Sequence, residues 1–131
     1  MVFTHIRICR TVKQKRKTAM EEIRNAFYNA DSPAKPAGEG VTRKILAHSE
    51  NIMVCEMHFE KGAVGAPHSH PHEQVSYVIS GKFEFTIGGK KIVVGPGDTT
   101  YKQPNVVHGA VCLEEGVMLD IFTPERKDFL S

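Results

Sequence analysis

The chain of 131 residues has no tryptophan, and its three cysteines, Cys9, Cys55 and Cys112, are far apart with no CxxC pair among them. An odd number at such spacing is not the framework of a disulfide-stapled secreted module. Cys55 and Cys112 lie inside apolar alternating segments, IMVCEMHF and HGAVCLEEGVML, and read as small core residues in a reducing compartment. No apolar run is long enough to span a bilayer. Arg7, Arg10 and a lysine cluster interrupt any apolar stretch at the start, so no secretory signal pattern is present. Repeats and low-complexity segments are also missing. The expectation is one cytoplasmic domain, large enough to bury a core without staples.

Acidic residues are absent from residues 1–19, which carry Arg7, Arg10, Lys13, Lys15, Arg16 and Lys17. Taking those six from the 17 positive residues leaves 11 against 15 acids, so residues 20–131 have a net charge of −4. A mildly acidic domain behind a basic extension gives no support for nucleic-acid binding, and no aromatics interleave with the basic run. Neither nucleic acid nor membrane is an expected partner. Met20 opens the sequence MEEIRNAFYNA and stands as an alternative start.

What is present is mostly strand signal. Residues 20–30 have Ile23 and Phe27 at i and i+4 and predict a short helix, ended by the proline- and glycine-rich residues 31–40. From Val41 onward, apolar and polar residues alternate with a period of two: Met53, Cys55, Met57 and Phe59 against Val54, Glu56 and His58. Runs at 74–80 and 82–87 are separated at Ser80-Gly81. Gly88-Gly89 marks a hairpin, and the GPGD sequence at 95–98 marks a turn. TTYKQ, VVHGAVCL and GVMLDIF follow as further short strands. Many short strands with glycine turns predict an all-β sandwich or barrel over 41–131, preceded by an extension and linker over 1–40.

The densest polar cluster is PHSHPHEQ at 67–74. His68 and His70 lie on one side of an extended backbone, their α-carbons about 7 Å apart by strand rise, close enough for both rings to reach one ion. Gln74 has the same parity and offers a carbonyl oxygen. His108, which begins a strand just after a turn, is the best candidate for a fourth ligand. A solvated histidine-rich turn is the alternative reading of the same residues. His48 and His58 have no partner at ligand spacing and are expected to be structural.

These residues also carry a resemblance. Gly62, His68, Ser69, His70, Gln74 and Gly81 resemble the first cupin motif, G-x5-HxH-x3/4-E-x6-G, and Gly97 followed by QPNVVH at 103–108 resembles the second, G-x5-PxGxxH-x3-N. The resemblance implies a double-stranded β-helix, or jelly-roll barrel. It also implies one divalent transition metal (nickel, manganese, iron, zinc, cobalt or copper) held by His68, His70, Gln74 and His108. Three positions depart from the pattern: Gln74 replaces the usual glutamate, Asn105 the glycine and Cys112 the last asparagine. Asn105 tolerates the left-handed backbone that the glycine would supply. Four neutral ligands would leave the ion its full charge, making it a stronger Lewis acid held somewhat less tightly. His72 is expected at the pocket rim and Glu73 away from the metal.

GAPHSHPHEQVSYVISGKFEFTIGG and the closing LDIFTPERKDFL resemble the KdgF-type pectin-degradation cupins more particularly. That resemblance implies conversion of 4,5-unsaturated uronates to their linear keto form, with an Asp-x-Phe-x3-Arg pattern mapping onto Asp120, Phe122 and Arg126 as catalytic residues. Asp120 would move a proton, Phe122 would pack on the sugar face, and Arg126 would hold a carboxylate in its fork. An Asp120–Arg126 ion pair with Phe122 in the core is the structural alternative. A metal-dependent dioxygenase and a non-catalytic sugar-binding module are the alternative functions, and small cupins of this kind imply a homodimer.

Overall fold

The computed structural model describes residues 23–131, and the basic run at 1–19, Cys9 and residues 20–22 lie outside them. Eight strands follow in order: β1 (Lys35–Pro36), β2 (Val41–Ser49), β3 (Ile52–Phe59), β4 (Val64–His68), β5 (Glu73–Ile87), β6 (Lys90–Val94), β7 (Thr99–Lys102) and β8 (His108–Thr123). A one-turn helix, α1 (Lys127–Leu130), closes the chain. The strands pair in the order β1-β2-β3-β8-β5-β6, with β4 also on β8 and β7 also on β5. All pairs are antiparallel.

β5 and β8 are long enough to serve both layers of the barrel. The first half of β5 and the second half of β8 pair with each other and with β7 and β3, while their other halves join β6 and β4. The result is the double-sheet jelly roll expected from the strand pattern. The Ser80-Gly81 break and the separation of VVHGAVCL from GVMLDIF are both corrected here. Each is a bend within a continuous strand, marked by register shifts between Val78 and Phe83. Glycine at both sides of this bend has a steric reason. A Cβ on Gly116 would lie 2.1 Å from the Ser80 carbonyl oxygen, and one on Gly81 would lie 2.6 Å from two backbone oxygens. Only backbones without side chains can cross that closely.

The helix predicted over residues 20–30 does not form in its described part. Residues 23–28 are irregular, and only a single 3₁₀ turn, Asn29–Asp31, follows. Phe27 packs against the His48 ring at 5.6 Å, while Ile23 is exposed, so the i, i+4 pair shares no buried face. Side chains tie the segment to the sheet instead. Asn29 bonds the Glu56 carboxylate, Lys44 bonds Asn29, and Ser32 donates to the Ile45 carbonyl. Among the described residues no helix is long and apolar enough to cross a membrane.

The alternation in β3 works as expected, with Met53, Cys55, Met57 and Phe59 all buried. They pack on Val78, Phe83, Phe85, Met118 and Phe122 from β5 and β8. Each such side chain contributes roughly 1.5–3 kcal/mol by burial. The interior is not uniformly apolar. Gln74 and Ser76 precede Val78 on the inward face of β5, and Thr100, Lys102 and Asp120 come in beside them from β7 and β8. That polar end of the barrel holds the site.

Candidate metal centre and its cavity

His68 ends β4 and His108 begins β8, and the two are in register with each other. His70 follows in the loop to β5, where a hydrogen bond from the Asn105 amide to the His70 carbonyl, 2.7 Å long, joins the two motif loops. Asn105 has φ 67°, the left-handed conformation expected of it in place of glycine. The ligand nitrogens of His68, His70 and His108 lie within 4.8 Å of one another. His68 donates its Nδ1–H to the Ala66 carbonyl at 2.8 Å, and His108 donates its own to the Val106 carbonyl at 3.0 Å. Both rings therefore present a bare Nε2, the orientation that backbone acceptors impose on metal-binding histidines.

Two features fit a cation here. His108 Nε2 is buried with no hydrogen-bond partner. His70 faces oxygens on both sides, the His72 carbonyl at 3.2 Å from Nδ1 and Gln74 Oε1 at 2.9 Å from Nε2. A neutral imidazole has one N–H, so one of these contacts sets a lone pair against an oxygen. Burial lowers the pKa of His70, which disfavours a second proton on the ring. A divalent ion among His68, His70, Gln74 and His108 would resolve it. Burial likewise pushes His108 down to about 4, with His68, His70 and Lys102 adding to the effect.

Beside the imidazoles runs a buried chain of hydrogen bonds that sequence reading missed. Lys102, fully buried, donates to Ser76 Oγ and to Thr100 Oγ1, each at 2.6 Å, and its ammonium lies 4.2 Å from the centre of the Phe85 ring. Ser76 donates to Asp120 Oδ1 at 2.5 Å. Burial draws Lys102 down to about 8, and the Asp120 carboxylate opposes that shift. A buried lysine is tolerated only with partners of this kind. Its shared parity with Thr100 in TTYKQ was the available signal, since one inward residue on a short barrel strand implies the other.

A cavity of about 260 Å³ opens on this end of the barrel, lined among others by His68, Gln74, His108, Asp120, Phe122 and Arg126. Three of the four expected ligands and the three expected catalytic residues therefore line one space, and His70, though not part of its lining, stands within ligand reach of His68 and His108. Asp120 and Phe122, two apart on β8, both face inward. Of the structural alternative, Phe122 does lie in the core, whereas no Asp120–Arg126 pair forms within the chain and Arg126 bonds Asp128 through Nε at 3.0 Å and Nη2 at 2.8 Å. The Arg126 guanidinium also lies over the rings of Phe122 and Phe129. Glu73 is exposed and accepts a hydrogen bond from the Tyr101 hydroxyl, away from the imidazoles. His72 reaches the Glu125 carbonyl at 3.2 Å. His48 and His58 pair with Glu125 and Glu56, structural contacts as expected. Cys55 and Cys112 are free and buried, and burial pushes the Cys55 thiol up to about 12.

A jelly-roll barrel with three convergent imidazoles at one end has the build of a small cupin carrying a candidate divalent metal site. Residues 55–122 match the Cupin domain family. The chain is 43% identical over 110 residues to the pectin degradation protein KdgF of Dickeya dadantii, covering 82% of this chain and all of that one. The structure of KdgF from Halomonas sp. superposes with a TM-score of 0.78 at 37% identity, over 82% of this chain and 99% of that chain. An RmlC-like cupin from Shewanella frigidimarina gives the same TM-score at 36% identity, over 82% and 96%. The chain belongs to the cupin family and, within it, to the proteins resembling KdgF.

Proposed function

We propose that this cupin converts 4,5-unsaturated uronates to their linear keto form. The observation that carries the reading is the position of Asp120, a carboxylate anchored through Ser76 to a buried lysine and facing the same small cavity as the imidazole cluster. An ion held by His68, His70, Gln74 and His108 would act as a Lewis acid toward sugar oxygens in that cavity.

The rest follows from the chain's own residues. Ser76 occupies Asp120 Oδ1, which leaves Oδ2 for the substrate. Oδ2 takes the proton of the hydroxyl on C1, the bond from C1 to the ring oxygen breaks as the C1 carbonyl forms, and the ring oxygen remains on C5 as an enolate. Return of a proton to C4 gives the C5 ketone. One proton leaves oxygen and one arrives on carbon, so the product is an isomer of the substrate. Phe122, which lines the cavity, supports the ring face.

The test supplies metal-loaded protein with a pectin-lyase digest and follows the absorbance of the 4,5-double bond. The expected result is its loss well above the spontaneous rate, without oxygen uptake. A rate no faster than the spontaneous one, with metal bound, would overturn the reading. Oxygen consumption would indicate the dioxygenase instead, and tight binding without turnover the sugar-binding module.

The reading includes a homodimer. The outer face of β3, β8, β5 and β7 aligns Val54, Ile121, Val75 and Tyr101 in one cross-strand row, with Leu119 and Tyr77 in the next. Tyr101 and Ile79 on this face are 53% and 46% exposed. A second copy would cover that apolar surface. Light scattering is expected to give twice the chain mass, and the mass of one chain would exclude the dimer.

A further inference from the structure

A cavity for an acidic sugar needs a cation free to take the carboxylate, and the two arginines lining it differ in that respect. Arg126 uses two nitrogens of its fork on Asp128, whose carboxyl the guanidinium holds below its ordinary pKa. The face of Arg126 best suited to a second carboxylate is therefore occupied. Arg43 also lines the cavity. It shares parity with Val41 and Ile45 on β2, which turns it inward opposite Met57. Its guanidinium lies 3.7 Å from the centre of the Phe129 ring and makes no hydrogen bond or ion pair among the described residues. Stacking fixes the plane of the guanidinium and leaves its N–H groups unspent, an arrangement that suits bidentate capture of a planar anion.

We propose that Arg43 is the specificity-determining residue of this cavity and takes the carboxylate of a hexuronic acid. This rests on the uronate reading above and adds a residue to it. Arg126 is then a positioning residue, packing Phe122 and Phe129 around the sugar while Asp128 keeps its fork. The ring of Phe129 carries both guanidinium groups and so links recognition at Arg43 to the closing segment of the chain.

The experiment titrates metal-loaded full-length protein with galacturonate and with its methyl ester by calorimetry, for wild type, Arg43→Gln, Arg43→Lys and Arg126→Gln. Wild type is expected to prefer the acid. Arg43→Gln should weaken galacturonate binding by about 10- to 100-fold, the value of a charge-assisted pair, and leave the ester unchanged. Arg43→Lys keeps the charge and the stem over Phe129 but loses the fork, and should fall between. On unsaturated galacturonate, Arg43→Gln should raise KM far more than it lowers kcat. Four results would overturn the assignment: galacturonate affinity within twofold of wild type in Arg43→Gln, equal weakening of acid and ester, selective loss in Arg126→Gln instead, or binding of neither sugar by wild type. A wild type that binds galacturonate through Arg43 but does not accelerate loss of the double bond would refute the proposed reaction and leave the carboxylate site standing.

Discussion

Asp120→Asn is expected to lower kcat for uronate linearisation by about 10²–10⁴-fold, the usual contribution of a positioned acid–base group, with metal content unchanged. The substitution preserves shape and can still accept the Ser76 hydrogen bond, so the barrel should fold and KM should move little. What disappears is the group able to take and return a proton. Lys102 makes the prediction sharper. Its ammonium is held in the barrel by Ser76 and Thr100 and favoured by the Asp120 charge. Without that charge, burial acts unopposed and Lys102 is driven toward its neutral form. The hydrogen-bond chain then loses polarity at both ends. For the same reason Ser76→Ala should share part of the loss and add little to it in the double variant, as expected for groups acting as one unit. Steady-state kinetics with elemental analysis checks this. A kcat of Asp120→Asn within threefold of wild type would remove Asp120 from the chemistry.

His108→Ala should weaken metal binding by at least about 10²-fold. Yet it should leave the metal-free fold no less stable, apart from the volume lost. The reason for this opposite pair is the buried Nε2, which has no protein partner and is a liability until a cation meets it. Removing the ring removes both the liability and the ligand. In thermal unfolding, wild type should gain stability on metal addition and the variant should gain much less. Acid should show the same group from another side. In the unfolded chain the ring protonates near 6.5, whereas in the fold burial lowers this to about 4. Between those values the unfolded state binds more protons, so stability of the metal-free protein rises with pH across that window and is lost as pH falls through it. Burial shifts His70 in the same direction. His108→Ala should flatten part of the slope. An unchanged slope, or an undiminished thermal response to metal, would contradict the role given to His108.

Much of this candidate site was legible because the motif spacing brackets a short loop between two strand ends, with His68 closing β4 and Gln74 at the start of β5. His68, His70 and Gln74 could be set apart from Glu73 by alternation and motif spacing, and the structure turns Glu73 outward to Tyr101. His108 lay 34 residues beyond Gln74 and was found through its turn and strand start. The helix expected at 20–30 failed for a different reason. Ile23 and Phe27 have the spacing of an apolar helical stripe, but two residues are a weak pattern, and the bonds of Asn29 and Ser32 to the sheet favour an irregular course. The continuous paths of β5 and β8 were also hidden. A glycine reads as a break in a sequence, while in the barrel Gly81 and Gly116 allow two strands to bend together and remain paired.

By itself the sequence determined the β architecture, the clustering of His68, His70 and His108 and the burial of Cys55 and Cys112, because period, turn residues and motif spacing can be read along the chain. Tertiary structure alone decided which charges meet inside the barrel. Lys102 from β7, Ser76 from β5 and Asp120 from β8 meet only when three strands pair in register. Arg43 from β2 reaches the closing segment only when the sheet curls into a barrel. The physical reason is that an inward charge on a strand is set by parity, but its partner is set by closure, which no run of neighbouring residues encodes.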